Sequence, residues 1–244
     1  MKRIVAVATF VPTLVLASLS VAAQTQSREQ IFKELETKRA EIAALEKKVL
    51  APSDADRDAN AEFLSESNTG LIRLLPRETY GSGDKRSLTI SGNGAFYSFA
   101  SSTYEPKRGY DIQLSQGTLS VGFAGMDYGM ILNVGDIPLH ELTPDNLAVR
   151  ALFEYAPATK EEDARKTHRT LWQGLEVAGF TFKNRVPAKV SNTYLLRSML
   201  YDDSDAAVAF RITRQDTDGS LILIYKVLKT FPAPKAERTK IAEN

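Results

Sequence analysis

The chain has 244 residues, 43% of them hydrophobic, with 31 Lys and Arg against 30 Asp and Glu and no cysteine. That share of apolar residues can bury a sizeable core, and a near-neutral balance without a basic stripe sets aside a nucleic-acid binder. With no thiol, disulfides and lipid attachment through a cleavage-site Cys are excluded, so stability must come from packing.

The first residues form a secretory signal. Lys2 and Arg3 are the charged end, Ile4 to Ser20 is apolar, and Val21-Ala22-Ala23 offers the small residues a signal peptidase reads, which places the cut before Gln24. An uncleaved anchor would need about 20 apolar residues, slightly more than this run provides, and Pro12 with the Ala-rich end favours cleavage. Cutting there removes two bases and no acid, leaving the mature chain at −1. The expectation is a bacterial protein, periplasmic or secreted, with no membrane attachment once residues 1–23 are gone.

Ser27 to Leu50 predicts a helix, opened by a capping box between Ser27 and Gln30 and filled with strong helix formers. Ile31, Leu35, Ile42, Leu45 and Val49 follow heptad spacing, with Lys38 in one core slot and mostly charged residues on the flanks. This amphipathic arm can pair two copies in a coiled coil. Three heptads are short, however, and the same stripe can lie on the chain's own β-domain. From Ala51 to Asn68 the composition shifts to Ala, Asp, Ser and Asn. Pro52 ends the first helix, Ser53 caps a short second one with Ala55, Ala59 and Phe63 on one face, and Asn68 and Gly70 close it. Residues 24–68 are thus a helical arm and linker, before a β-domain over 69–232 whose first strand falls at Leu71 to Leu75.

A turn at Gly81-Ser82-Gly83-Asp84 leads into the densest strand signal, Leu88 to Gly135. Leu88 and Ile90, Tyr97 and Phe99, Ile112 and Leu114, Leu119, Val121 and Phe123, then Tyr128, Met130, Leu132 and Val134 alternate at period two. Gly92-Asn93-Gly94, Lys107-Arg108-Gly109, Gln116-Gly117 and Gly125 separate the runs, so the expectation is one meander of four or five strands with a single buried face. The three glycines of Gly122 to Gly129 imply a bulge, a tight hairpin or a close backbone approach.

A two-helix excursion follows at about 143–174. Thr143 is expected to cap the first helix, with Pro144 at its first position and Pro157 beyond its end; Thr159 and Glu162 form a capping box for the second, a surface helix closed by Gly174. Strands return at Val177 to Phe182, Thr193 to Tyr201, and Ala206 to Gln215, the last paired with Ser220 to Phe231 across Asp216-Thr217-Asp218-Gly219. Apart from Lys226, Leu221 to Leu228 is apolar on both faces, as a strand buried on both sides would be. Residues 233–244 are a polar, frayed tail. The fold class is mainly β: an antiparallel β-sandwich or partly open barrel with helices as accessories.

No motif declares a reaction. Asp202-Asp203-Ser204-Asp205 and Asp216 to Gly219 suggest pieces of a calcium loop, but ten strand residues hold them roughly 30 Å apart, and both are turn material. His140 and His168 lack a second ligand at i+3 or i+4, so no metal site is expected. Ser82-Gly83-Asp84-Lys85 matches S-x-x-K only in letters, and no glycine loop for phosphate is present, so no cofactor is implied.

Aromatic residues carry what signal remains. Tyr104, Arg108 and Tyr110 sit on a long hairpin tip, and Asp127 and Tyr128 in the glycine-rich segment, so these five are the candidate ligand-binding residues. Aromatic side chains in strands also simply fill β cores. The preferred function is an exported noncatalytic β-domain that binds a ligand or protein partner; the rival is a cell-envelope polymer hydrolase using Asp111 and Asp127 as its acids.

Overall fold

Alternating apolar residues assign faces, and the fold follows from which strands share them. The structure is a computed structural model that describes residues 27–80, 88–123 and 125–237. The expected signal segment and the turn from Gly81 to Asp84 lie outside the described residues. The chain divides into two compact units, Met1–Glu41 and Ile42–Asn244.

In the first unit the described residues begin helix α1 (Arg28–Leu50). Its capping box forms as expected: Ser27 N donates to Gln30 Oε1 at 2.9 Å and Gln30 N to Ser27 Oγ at 3.2 Å.

The second unit contains the sheets. Ser53 caps α2 (Asp54–Ala59), but the chain breaks at Asn60 into a separate turn, α3 (Ala61–Leu64), before β1 (Thr69–Leu74) and α4 (Arg77–Tyr80). Leu88 to Ile90 is not a strand, because three consecutive left-handed residues, Gly92, Asn93 and Gly94, turn the chain there. Next come β2 (Phe96–Tyr97), β3 (Ile112–Ser115), β4 (Thr118–Ser120) and β5 (Tyr128–Gly135). Helices α5 (Leu147–Glu154) and α6 (Glu161–Gln173) follow, then β6 (Leu175–Val177), β7 (Phe180–Phe182), β8 (Arg185–Pro187), β9 (Thr193–Leu200), β10 (Ser204–Gln215) and β11 (Leu221–Phe231).

The strands form an antiparallel five-stranded sheet in the order β1-β11-β10-β9-β5, a smaller sheet β2-β3-β4-β8, and the hairpin β6-β7. The expected single meander is therefore split. Its β2, β3 and β4 stay together, whereas β5 crosses to pair with β9. The crossing needs Gly122: at φ +74°, a Cβ there would lie 2.6 Å from Gly129 N, so the glycine density marks a close backbone approach.

Both faces of the large sheet are covered. Along β9 and β10, Tyr194, Leu196, Val208 and Phe210 face the small sheet, joined by Ile112, Leu114 and Leu119. Leu195, Met199, Ala207 and Ala209 face the helical layer with Val149, Leu152, Ala164 and Leu171. Strand β11 is central, as its two-faced apolar run predicts. The two sheets form an open sandwich, stitched at one corner by the chain entering β8: Ile131 and Lys183 exchange backbone hydrogen bonds, and Val121 N donates to Asn184 O at 2.9 Å.

Local differences have local causes. Helix α5 is capped by Asn146, whose Oδ1 accepts from Ala148 N and Val149 N, because Thr143 and Pro144 are spent on the preceding turn. Helix α6 has Lys160 as its N-cap and no side-chain cap, so the Thr159–Glu162 box does not form. The single strand expected from Val177 is a hairpin turned at Ala178 and Gly179, both at positive φ. The tail is tied down by Asp202 N to Pro234 O and Glu237 N to Thr159 O. Among the described residues, no helix is long and apolar enough to cross a membrane.

Candidate functional site: a cleft between α6 and the small sheet

Strand register creates the site. Gln113 lies opposite Ser120 across β3 and β4, and Ser120 opposite Arg185 across β4 and β8. Their neighbours Ile112, Leu114, Leu119 and Val186 fill the inter-sheet core, so this row occupies the other face of the small sheet. Helix α6 borders the row. Ala164 and Leu171, seven residues apart on one stripe, pack into the helical layer, which turns His168, Arg169 and Trp172 toward the row. Gly122 and Phe123 close the third side of a cleft of about 420 Å³.

The cleft is rigidly framed. Asn184 N donates to Leu171 O at 3.0 Å, satisfying a carbonyl that the last turn of α6 would otherwise leave open. Arg185 holds its guanidinium 3.7 Å from the centroid of the Trp172 ring, and Trp172 is still 56% exposed. His168 Nδ1 lies 3.2 Å from the Asp127 carbonyl, which can only accept. Nδ1 therefore carries the hydrogen and Nε2 is left for other partners.

Two buried amides line the cleft. Gln113 is 7% exposed and Asn184 8%, and among the described residues neither Gln113 Nε2 nor Asn184 Oδ1, both sealed from solvent, has a hydrogen-bond partner. Among the described residues neither Arg169 nor Arg185 forms an ion pair, and no carboxylate lines the cleft. The site thus offers cations, unpaired amides and one indole.

The five residues expected to bind ligand do not converge. Tyr104 packs on the Tyr97 ring and its hydroxyl donates to Arg73 O at 2.8 Å; burial raises its pKa. Tyr128 is inside the helical-layer core, its hydroxyl 3.2 Å from that of Tyr155, and burial pushes it up to about 12. Both pack against core, Tyr128 from strand β5 and Tyr104 from the loop before β3. Arg108 donates to Asp202 O at 3.2 Å. The Tyr110 ring packs tilted against Phe96, which contacts Phe123, so it reaches the margin of the cleft through two rings. Asp127 touches the cleft only through its backbone carbonyl; its carboxylate accepts from Tyr201 N at 2.8 Å, and burial raises its pKa despite the nearby Arg108.

The rival acids fare differently from one another. Asp111 is 1% exposed and accepts hydrogen bonds from Ser98 Oγ and Ala100 N, so its carboxylate organises the loop before β3 and is sealed from a polymer. The Asp216–Gly219 run is a hairpin turn, as expected, whereas Asp205 is a buried strand residue paired with Arg197.

Sequence reasoning missed Gln113, Arg169, Trp172, Asn184 and Arg185. A faint signal existed: Gln113 interrupts an apolar run at the position facing away from the core, and Trp172 ends a helix whose stripe needs only Ala164 and Leu171.

No family model matches the chain, and no curated protein matches it. Among solved structures it is similar to a crystal structure described as a "putative lipoprotein" from Bacteroides fragilis, at 12% identity and a TM-score of 0.29, over 68% of this chain and 92% of that one.

Proposed function

We propose that the protein is an exported, noncatalytic binding module, periplasmic or secreted, and that its ligand occupies the cleft between α6 and the outer face of the small sheet. The observation that carries this reading is the pair of amides, Gln113 and Asn184, each buried with one polar atom unpaired among the described residues. An amide left that way costs ~1–3 kcal/mol, and a ligand that draws these two side chains toward the cleft and supplies the missing partners recovers it. The frame around them is already set by the Asn184–Leu171 hydrogen bond, which favours a preformed site. Export rests on the signal-like segment 1–23. The α1 stripe of Ile31, Leu35, Ile42, Leu45 and Val49 is the surface assigned to pairing of two copies.

The test is a fragment titration followed by NMR, reading the side-chain amide resonances of Gln113 and Asn184 and the indole N–H of Trp172. Saturable shifts confined to these groups are expected for some fragments. A library that binds elsewhere, or leaves all three unmoved, overturns the reading.

A further inference from the structure

The chemistry of the lining narrows the ligand. Two exposed arginines, Arg169 and Arg185, border the cleft without an ion pair among the described residues, and no lining residue is acidic. Guanidinium groups recognise carboxylates through paired N–H donors, and a site with no acid of its own does not repel one. The amides of Gln113 and Asn184 add both donors and acceptors, which suits hydroxyl groups that also play both roles. Trp172 supplies the apolar component. Arg185 holds the ring in place by stacking on it, and more than half the residue remains exposed. Indole faces accept the C–H surface of a sugar ring, while Ser120 and His168 add further polar groups at the edge. The volume, about 420 Å³, is that of one or two such rings.

We propose that the cleft binds a small carboxylate-bearing saccharide, its carboxylate held by Arg169 and Arg185 and its hydroxyls by Gln113 and Asn184, with one ring against Trp172. This rests on the reading of the cleft as the ligand site. The class is set by a combination: cations alone would suit any anion, and an indole with amides alone would suit a neutral sugar.

The chain contains a single tryptophan, so emission excited selectively in the indole band reports on Trp172 alone. The purified protein is titrated with digalacturonate, with the neutral galactobiose of the same linkage, and with acetate. Digalacturonate is expected to change the emission saturably, at least tenfold more tightly than galactobiose, and to weaken as salt is raised. Acetate should change it little. Arg169→Gln, at an exposed position that leaves the indole's stacking partner in place, should erase most of the tenfold preference.

Equal binding of the two disaccharides overturns the carboxylate assignment, and a response to acetate as strong as to digalacturonate overturns the saccharide assignment. No response to any of the three overturns the ligand class. In that last case the fragment titration separates the two failures: shifts at Gln113 and Asn184 preserve the cleft as a site for another ligand, and their absence removes the site as well.

Discussion

Arg197 on β9 and Asp205 on β10 meet in a two-point ion pair inside the protein, Nε to Oδ1 and Nη2 to Oδ2 both at 2.8 Å, with Arg197 only 2% exposed. The remaining nitrogen, Nη1, donates to Leu152 O at 2.8 Å and Tyr155 O at 2.6 Å, and the guanidinium lies 3.8 Å from the Phe231 ring centroid. Those carbonyls belong to the end of α5. One arginine therefore ties the helical excursion to the large sheet, and the chain beyond it carries α6 and its cleft wall.

Removing that arginine strands a buried carboxylate. Arg197→Met should cost ~3–5 kcal/mol, measured by urea unfolding, and adding Asp205→Leu should restore much of the loss because no lone charge then remains. A single variant as stable as the parent contradicts this role.

Asp111 gives a pH dependence with a definite sign. Burial, the largest influence, raises its pKa above the ordinary 3.8, outweighing the hydrogen bonds it accepts. A carboxyl raised in the folded state contributes stability that is full below 3.8 and is lost as pH climbs through the folded value. Asp111→Asn accepts the same hydrogen bonds and never ionises, so its stability should gain on the parent between about pH 4 and about pH 7. Urea melts at both values check this, and a constant difference contradicts it.

The heptad stripe on α1 is exposed along most of its length: Ile31, Leu35, Ile42 and Leu45 face solvent, and Val49 is half-buried. Sedimentation of the chain lacking residues 1–23 should show a concentration-dependent dimer, and Leu35→Lys with Ile42→Lys should leave a folded monomer. A parent that stays monomeric at every concentration removes the pairing role.

What could be read in the sequence was local. The Ser27–Gln30 capping box, the β10–β11 hairpin across Asp216 to Gly219, and the central place of Leu221 to Leu228 each depend on neighbours in the chain. Period-two alternation also put Leu119 and Val121 in the core. It assigns faces, however, and not partners. Nothing near Tyr128 says that β5 pairs with β9, so one meander was expected where two sheets exist. Asp205 looked like turn material because its buried partner Arg197 is unremarkable by spacing. The cleft was hidden for the same reason: Gln113, Ser120 and Arg185 become neighbours only through the pairing of β3, β4 and β8, with α6 laid beside them.

The most direct measurement is the unfolding free energy of Gln113→Met and Asn184→Leu in the ligand-free protein. If the two amides are held for a ligand, removing them takes away unpaired polar groups and breaks no hydrogen bond that holds the fold. Each variant should then match the parent within about 0.5 kcal/mol or exceed it. A loss of ~2 kcal/mol or more in either would mean that the amides hold the structure together, and would contradict the assignment of the cleft as a binding site.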